Sequence, residues 1–432
     1  MVRGAINIFN NILSVSKIFL LFVFAVFLPR IFMTHVKNKT YCAIYKQKNC
    51  FKLGLENITS KFVNTIHNSK NPTCNVALIT NQTGKDQLGR RSIDVLISKG
   101  IQIKKIFSPE NGLTGNDPAV DQKTKLPIIS LYSSDKTKAI SKVMLKDIDL
   151  IIFDMQDAGM RNYTYITTLF QAIDAAYTYN KKIIVLDRPN LLGPIIEGPL
   201  VEKNFKSEIS FAPIPLRYGM TIGEIALYYN SYIAKKEASL HIAPMKNYAR
   251  DNVITNKLLS KLSPNITSIF ACHGYSFLGL LGEISPFDIG IGTKNSFQLI
   301  LLPDTIKFSK QKWQRLHKIL KSYNIENHFY RFFDKIKKNY CSGLKLRIKN
   351  INHTASFKML MDILKFFKEN KLAMKFSKHF DKTVGTDKVK KFLENKISWK
   401  KLTKDINRRL FIFYNKAIHC FLYKPLPRVE YL

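Results

Sequence analysis

Apolar residues follow two alternating patterns along the chain from residue 51 onward. Short β-branched runs predict buried strands, and longer stretches with apolar residues on one face predict helices. The predicted strands cover residues 76–80, 101–106, 128–131, 148–153 and 182–186, and the predicted helices between them cover 91–99 and 165–179. Apolar strands alternating with helices predict an α/β fold whose mostly parallel sheet is covered on both faces.

The pattern loosens in the second half of the chain. Thr221 followed by Glu224 has the spacing of a capping box and predicts that a helix begins there. Further helices are predicted over 311–323, 357–370 and 387–393, with a strand over 344–348. We expect one domain over residues 51–220 and a second, smaller α/β or α+β auxiliary domain over 221–432. The functional site is expected where the two domains meet.

The N-terminal residues have a different character. An unbroken apolar run covers residues 18–28, with Arg3 and Lys17 before it and Pro29 directly after it. A run this short favours an export signal or a marginal anchor over a full membrane span, which needs ~20 apolar residues. We therefore expect residues 1–36 to be an export signal or anchor, with a buried core helix as the alternative, and 37–50 to be a polar linker. The predicted location is periplasmic or otherwise extracytoplasmic, with residues 12–33 available as an inner-membrane tether.

Composition narrows the class of protein. Of the 432 residues, 46% are hydrophobic and 12% aromatic, which excludes a disordered chain. The formal net charge of +37 comes mostly from lysines scattered along the whole sequence. A nucleic-acid binder would concentrate basic residues on one face, so we expect no specific nucleic-acid partner, although a basic surface attracts polyanions and acidic membranes. A steep salt dependence of DNA binding would indicate the nucleic-acid alternative.

The cysteines give no sign of a metal site. None of the six forms a C-x-x-C pair or a cluster with zinc spacing. Export would permit a Cys42–Cys50 disulfide, but unpaired thiols are favoured. The first predicted strand is not followed by a glycine-rich dinucleotide fingerprint or a P-loop lysine. No motif requires a metal or an organic cofactor.

Several predicted strands end in loops that carry amide, carboxylate and guanidinium groups. Because the carboxyl ends of parallel strands meet at one edge of the sheet, where ligands bind in open α/β folds, we expect these side chains to converge. The residues concerned are Asn81, Gln82, Glu110, Asp154, Gln156, Asp157, Arg161, Asp187, Arg188 and Asn190. Each of them alone is more often a turn or capping residue. Together they suit a polyhydroxylated ligand, with one carboxylate available for proton transfer.

Glu110 occupies the central position in this arrangement. It follows the predicted strand 101–106, on a loop whose Pro109, Gly112 and Gly115 require turn conformations. The alternative is an ordinary solvated carboxylate. The other polar loops predicted at the same edge favour a functional role.

An ordered set of motifs runs through the globular part of the chain. The motifs are LITNQTG at 78–84, FSPE-x-G at 107–112, FD-x-QD-x-G-x-R-x-YTYI at 153–166, LDRPN-x-LG at 186–193, EGP at 197–199, PIP-x-R-x-GMT-x-GE at 213–224 and SPN at 263–265. In this order they resemble the NamZ-type exo-β-N-acetylmuramidase family, which acts on the bacterial cell wall. The resemblance covers about residues 51–424 and is looser toward the C-terminus.

The resemblance implies both a fold and an activity. The expected fold is a Rossmann-like domain with an auxiliary domain and a cleft between them. The expected reaction removes non-reducing terminal N-acetylmuramic acid from peptidoglycan fragments during cell-wall turnover or recycling. Glu110 corresponds to the proposed catalytic residue and is the expected general acid/base. The second group is left open between Asp154, Asp157, Asp187 and the acetamido group of the substrate.

The resemblance also suggests substrate contacts. Arg161, Arg188 and Arg217 are predicted clamps for the lactyl carboxylate of muramic acid, because guanidinium groups match carboxylates. Further predicted contacts come from the polar loops, together with Asn111, Tyr163 and Glu283.

Some positions depart from the family pattern. Asn111 and Tyr218 stand where the family usually has histidine, and the late loop at 288–293 has Ile289 and Ile291 where a glutamate and an arginine are usual. These departures leave two roles open, namely a glycoside hydrolase and an impaired relative that binds muropeptides without cleaving them.

Overall fold

The computed structural model describes residues 51–67, 74–110, 112–113, 118–133, 136–137, 139–251, 261–334 and 338–432. The predicted export signal, linker and Cys42–Cys50 disulfide, as well as Asn111, lie outside this part of the chain. Residues Lys52–Leu432 form one compact unit. The helices of the described segments include none that is both long enough and apolar enough to cross a membrane.

Strands and helices are numbered here in chain order. The strands are β1 (Val76–Thr80), β2 (Ile103–Ser108), β3 (Ile128–Ser130), β4 (Tyr132–Ser133), β5 (Lys136–Thr137), β6 (Leu150–Asp154), β7 (Lys182–Leu186), β8 (Ile195–Glu197), β9 (Arg217–Tyr218), β10 (Ser239–Ala243), β11 (Ile284–Ser285), β12 (Leu299–Pro303), β13 (Ile325–Asp334), β14 (Asn339–Ile348), β15 (Lys375–Phe376) and β16 (Arg428–Val429). The α-helices are α1 (Gly54–Asn57), α2 (Ser60–His67), α3 (Ser92–Ser98), α4 (Thr164–Thr178), α5 (Ile222–Tyr232), α6 (Ile269–Leu281), α7 (Lys310–Ser322), α8 (Ser356–Glu369), α9 (Phe380–Val384), α10 (Lys388–Leu393) and α11 (Trp399–Ala417).

A six-stranded sheet forms the centre of the first half. Its strand order is β10-β7-β6-β1-β2-β3, and all neighbouring strands are parallel. The chain extends from β1 first toward β3 and then, on the other side, toward β10, which is the strand order of a doubly wound Rossmann-like fold. Every residue of β1 and β6 is buried, as expected for strands covered on both faces. The predicted fold class is confirmed.

The five predicted strands of the first half are all present, as are helices α3 and α4 between them. Strand β10 was not predicted, because its pattern is only partly apolar and most of its residues are half-exposed or exposed. Helix α6 was also missed, because it is apolar around most of its circumference and so lacks the one-sided pattern of a surface helix. The predicted domain boundary at residue 220 stays a prediction, although β10 after it belongs to the central sheet.

The second half is built around a smaller antiparallel sheet. Its order is β12-β14-β13, and helices α7 and α8 pack on each other, with α7 also lying against β13. The two halves share one hydrophobic core, which includes Phe153 of β6 and Phe367 of α8. The C-terminal strand β16 pairs with β8, so the end of the chain returns to the first half.

Candidate active site

The polar loops meet at the carboxyl edge of the parallel sheet, as the sequence predicted. Thr80 at the end of β1 is in register with Asp154 at the end of β6. The next loops are joined by hydrogen bonds: Gln156 N–H donates to Thr83 Oγ1 over 2.9 Å, and Gln156 Nε2 donates to the carbonyl of Pro189 over 2.7 Å. Three of the predicted loops therefore form one connected layer.

The close packing of this layer depends on a glycine. Gly159 has a φ of +95°, and a Cβ at this position would collide with Oδ1 of Asn190. Asn190 is itself fixed, because its Nδ2 donates to the carbonyl of Met220 over 2.8 Å and its Oδ1 accepts from Leu192 N–H over 2.8 Å. Asn190 therefore positions the loops and has no free polar atom for a ligand.

Glu110 lies two residues beyond the end of β2 and is half-buried. Gly112 N–H donates to the carbonyl of Pro109 over 3.0 Å and closes the turn that carries it. The Glu110 carboxylate makes no hydrogen bond or ion pair with a residue of the described segments. Among the described residues, none competes with a ligand for this carboxylate.

Tyr275 on α6 connects this turn to the rest of the site. Burial raises the pKa of the Tyr275 hydroxyl well above its usual range, and the negative charges of Asp157, Glu110 and Glu283 raise it further. Tyr275 therefore lies within electrostatic reach of carboxyl groups from three parts of the chain, while its hydroxyl donates to the carbonyl of Asn162 over 3.2 Å. The sequence analysis did not single out Tyr275, because no motif marks it and α6 itself was not recognised.

Asp157 is the buried carboxyl group of the site. Its Oδ2 accepts from the Tyr218 hydroxyl and from Gly159 N–H, the latter over 2.6 Å. Its Oδ1 is buried and makes no hydrogen bond with a described residue. Burial raises the pKa of Asp157 to about 7, and the hydrogen bonds from Tyr218 and Gly159 oppose this shift. Asp157 can therefore hold or release a proton near neutral pH.

Asp154, the other predicted catalytic aspartate, is fully engaged. Arg188 donates to its two carboxylate oxygens from Nε over 2.6 Å and from Nη2 over 2.8 Å, and both side chains are buried. Arg188 Nη1 also donates to the carbonyl of Lys85 over 3.0 Å. This pair holds the loop after β1 against β6, which leaves neither group free to receive a substrate.

Asp187 has a structural position at the start of helix α5. It accepts from Gly223 N–H over 2.8 Å, from the Thr221 hydroxyl over 2.9 Å and from the Tyr423 hydroxyl over 2.6 Å. Burial raises the pKa of Asp187 to about 7, and the hydrogen bond from Tyr423 is the largest opposing effect. Its oxygens are occupied by protein donors.

Arg161 and Arg217 are buried away from any open surface. Arg161 donates from Nη1 and Nη2 to four backbone carbonyls, of which those of Thr383 and Val384 belong to the second half. Arg217 pairs with Glu197 over 2.8 Å and also donates to backbone carbonyls, including that of Leu192. The terminal nitrogens of both arginines already donate to protein atoms, so neither guanidinium group faces the candidate site with a free donor there.

The remaining predicted contact residues differ in whether their polar side-chain atoms already form hydrogen bonds with the protein. Tyr163 and Gln82 both donate to the carbonyl of Leu262, each over 2.9 Å. Asn81 Oδ1 accepts from Thr83 N–H over 2.9 Å, whereas its Nδ2 is buried and makes no hydrogen bond with a described residue. Glu283 accepts from the Ser377 hydroxyl. Asn81 and Gln82 thus keep one polar atom each for a ligand, since Gln82 Oε1 is also unpaired within the described chain.

Two cavities lie beside these groups. The first, of about 830 Å³, lies next to Tyr275 and is called the Tyr275 cavity; its other lining residues include Glu283, Asp288, Ile289, Phe332 and Asp334. The second, of about 720 Å³, lies at the end of β1 and is called the Lys85 cavity; it is lined by Asn81, Gln82, Lys85, Arg91, Leu113 and Lys123 among others.

The late loop forms an apolar wall of the Tyr275 cavity. Ile289 is buried and Ile291 is 51% exposed, both in the lining. Among the described residues, no cluster of three or more His, Cys, Asp or Glu side chains is arranged to hold a metal ion. The described cysteines, at 74, 272, 341 and 420, are buried, and no disulfide joins any two of them.

Comparison with known proteins is consistent with this architecture. The chain matches the family models described as exo-beta-N-acetylmuramidase NamZ, N-terminal, over residues 76–269, and C-terminal, over residues 273–423. It is 32% identical over 340 residues to the peptidoglycan beta-N-acetylmuramidase NamZ of Bacillus subtilis (strain 168), covering 74% of this chain and 80% of that protein.

Solved structures give the same result. Two DUF1343 family proteins from Bacteroides fragilis NCTC 9343 are each 27% identical to this chain, with TM-scores of 0.75 and 0.64. In both cases the match covers 87% of this chain and 99% of the other. The chain therefore belongs to the family of the exo-β-N-acetylmuramidase NamZ.

Proposed function

We propose that this protein is an exo-β-N-acetylmuramidase that removes non-reducing terminal N-acetylmuramic acid from peptidoglycan fragments in cell-wall turnover. The observation that carries the proposal is the half-buried Glu110, which lies at the carboxyl edge of the sheet and has no partner in the described chain. The Bacillus subtilis relative, a peptidoglycan β-N-acetylmuramidase by name, supports the choice of substrate.

In the proposed reaction Glu110 acts first as an acid and then as a base. Its carboxyl group gives a proton to the glycosidic oxygen as the bond from that oxygen to the anomeric carbon breaks. The resulting carboxylate then takes a proton from the water that attacks the anomeric carbon, which restores the acid and completes hydrolysis.

Glycosidases commonly use a second catalytic carboxyl group beside the general acid. Asp157 is the strongest candidate for that group. Asp154 and Asp187 have their oxygens occupied by protein donors, whereas Asp157 keeps Oδ1 unpaired within the described residues. Tyr218 orients Asp157 through its hydroxyl. This role gives a purpose to the tyrosine that replaces the usual histidine.

The test is incubation of the full chain with N-acetylmuramyl-N-acetylglucosamine, followed by measurement of free N-acetylmuramic acid. We expect release by the wild type and a loss of at least about 100-fold in the Glu110→Gln variant, because general acid–base catalysis contributes on that order. Glu326→Gln, on an exposed position of β13, is the matched control and should keep full activity. Equal rates for wild type and Glu110→Gln would refute the role of Glu110.

A second candidate function is binding of muropeptides without cleavage. It is favoured by the apolar wall at Ile289 and Ile291, where the family usually carries a glutamate and an arginine. Calorimetry with the same disaccharide separates the two functions. Binding by the wild type without release of N-acetylmuramic acid at any pH would identify a receptor.

We also propose that the protein works outside the cytoplasm, with residues 12–33 as a membrane tether. The apolar run at 18–28 supports the proposal. Protease treatment of intact spheroplasts should digest the full chain and spare a chain that lacks residues 1–36. Protection of both chains would contradict export.

A further inference from the structure

The Lys85 cavity lies at the carboxyl end of β1, whose neighbouring strand β2 leads to Glu110. Its walls are the loop after β1 and the segment before β3, and none of its lining residues is shared with the Tyr275 cavity. Leu113, three residues after Glu110, forms part of its wall.

Three basic residues line the Lys85 cavity, but two of them are neutralised. Arg91 pairs with Asp121 over 2.6 Å and with Asp94 over 3.0 Å, and Lys123 pairs with Asp94 over 3.0 Å. Lys85 is half-buried and forms no ion pair with any residue that the structure describes. Its backbone is fixed, because Arg188 donates to its carbonyl. Lys85 thus supplies the uncompensated positive charge of this cavity.

An amide donor lies in the same cavity. Asn81 is only 3% exposed, and its Nδ2 makes no hydrogen bond within the described chain. A buried donor without a partner is costly, so it is expected to meet an acceptor when the site is filled. An ammonium group and an amide N–H in one cavity match the two oxygens of a carboxylate.

The described lining of the Tyr275 cavity offers no cation to a carboxylate. Glu283, Asp288 and Asp334 line it, and its described lining contains no lysine or arginine. Its aromatic residues, such as Tyr275 and Phe332, offer apolar surface to an uncharged ring. An uncharged sugar therefore suits this cavity better than an anionic one, since the described lining has no positive charge to pair with a carboxylate.

We propose that Lys85 and Asn81 form the subsite for the lactyl carboxylate of the terminal muramic acid, and that the uncharged leaving sugar lies in the Tyr275 cavity. The inference rests on the proposed function, since it assigns the two ends of that substrate. It replaces the predicted clamps Arg161 and Arg217, whose terminal nitrogens are engaged in the core. Lys85 is then a specificity-determining residue that no motif indicated.

The test compares N-acetylmuramyl-N-acetylglucosamine with its lactyl methyl ester. Binding is measured by calorimetry on the full chain carrying Glu110→Gln, so that no turnover occurs. We expect the acid to bind about 10-fold or more tighter than the ester, because a charge-assisted hydrogen bond is lost in the ester. Adding Lys85→Met should bring the two affinities to within about 2-fold, and adding Lys85→Arg should restore much of the preference.

Lys123→Met is the matched control, because Lys123 lines the same cavity but already pairs with Asp94. It should keep the preference for the acid. Equal binding of acid and ester, a preference that survives Lys85→Met, or no binding of either ligand would each overturn the proposal.

Turnover distinguishes this proposal from the proposed function. If the wild type releases no N-acetylmuramic acid but the preference for the acid depends on Lys85, the hydrolase proposal fails and the subsite stands. If the wild type releases the sugar and Lys85→Met leaves KM unchanged, the subsite fails and the hydrolase proposal stands.

Discussion

The buried carboxylates of the site differ in what compensates their burial. Asp154 faces a guanidinium group and accepts a bidentate pair of hydrogen bonds. Asp157 and Asp187 accept hydrogen bonds only from neutral donors, and burial raises the pKa of each to about 7. Asp157 and Asp187 can therefore bind or release a proton near neutral pH.

Removing Arg188 tests the first arrangement. Arg188→Met leaves the Asp154 carboxylate buried without a counter-charge, and we expect the free energy of unfolding to fall by about 3–5 kcal/mol. Chemical denaturation at pH 7 measures the loss. The double variant Asp154→Leu/Arg188→Met lacks both charges. Its free energy of unfolding should fall clearly less than that of Arg188→Met alone. If the double variant is the less stable of the two, the loss reflects packing and the ion-pair interpretation is wrong.

The pKa of Asp157 predicts a dependence of stability on pH. The native state keeps the Asp157 proton up to about pH 7, whereas the unfolded chain releases it near 3.8. Between these values the native state binds more protons, so the free energy of unfolding falls as the pH rises, by at most about 1.4 kcal/mol per pH unit from this group.

The Asp157→Asn variant lacks this titrating group and is therefore compared with the wild type. Denaturant unfolding between pH 4 and pH 8 should show the variant gaining stability relative to wild type as the pH rises toward 7, and no further gain above it. A constant difference across this range would show that Asp157 does not titrate in the predicted window. Asp187 contributes a pH dependence of stability with the same sign in both proteins, so its contribution cancels in the comparison.

Among the elements, helix α5 connects the site to the second half of the chain. Thr221 accepts from Glu224 N–H over 3.2 Å, and Glu224 in turn accepts from Thr221 N–H over 2.8 Å, which is the capping box the sequence predicted. The Thr221 hydroxyl also donates to Asp187. The cap therefore joins the start of the helix to the end of β7.

Thr221→Ala tests this double role. The loss of an N-cap costs about 1 kcal/mol, and the lost hydrogen bond to the buried Asp187 carboxylate, which keeps its bond from Tyr423, adds to it. Ser309→Ala is the matched control, because Ser309 caps α7 in an exposed position. Urea unfolding should show a larger loss for Thr221→Ala than for Ser309→Ala. Equal losses would mean that the contact with Asp187 contributes nothing to stability.

At the scale of the whole molecule, the C-terminal segment 421–432 returns to helix α5 and the end of β7. Arg250 and Glu224 form a fully buried ion pair, and Glu224 also accepts from Leu422 N–H over 2.7 Å. Arg250 donates from Nε to the carbonyl of Pro425 over 2.9 Å, and the Tyr423 hydroxyl donates to Asp187. This segment covers buried charges of the first half.

Deleting residues 421–432 should expose these charges and lower the thermal unfolding midpoint. We expect a drop of a few degrees, since a loss of a few kcal/mol shifts the midpoint by about 1 °C per kcal/mol in a chain of this size. Calorimetry of the full chain and the truncated chain measures it. Deleting only residues 431–432 is the control and should change little. An unchanged midpoint after the longer deletion would show that the segment is not part of the folded core.

Much of the first half could be predicted from local patterns. Strands β1, β6 and β7 carry continuous apolar runs, because both faces of a parallel sheet are buried. The convergence of the polar loops followed from this, since parallel strands present their carboxyl ends at one edge. Elements without a one-sided pattern, such as α6 and β10, escaped prediction because burial by distant parts of the chain decides their composition.

The sequence by itself determined the α/β class, the edge where the polar loops meet and the position of Glu110 there, because these depend on strand periodicity and turn residues close in the chain. Only the tertiary structure decided which charged groups are free. Arg161 reaches the carbonyl of Thr383, 222 residues away, and Arg188 takes Asp154 as its partner, so neither guanidinium is open to a ligand. Lys85 stays unpaired within the described chain, while Arg91 beside it is neutralised. Local sequence cannot encode such a division, because the compensation of a buried or half-buried charge depends on partners that only folding brings within hydrogen-bonding distance.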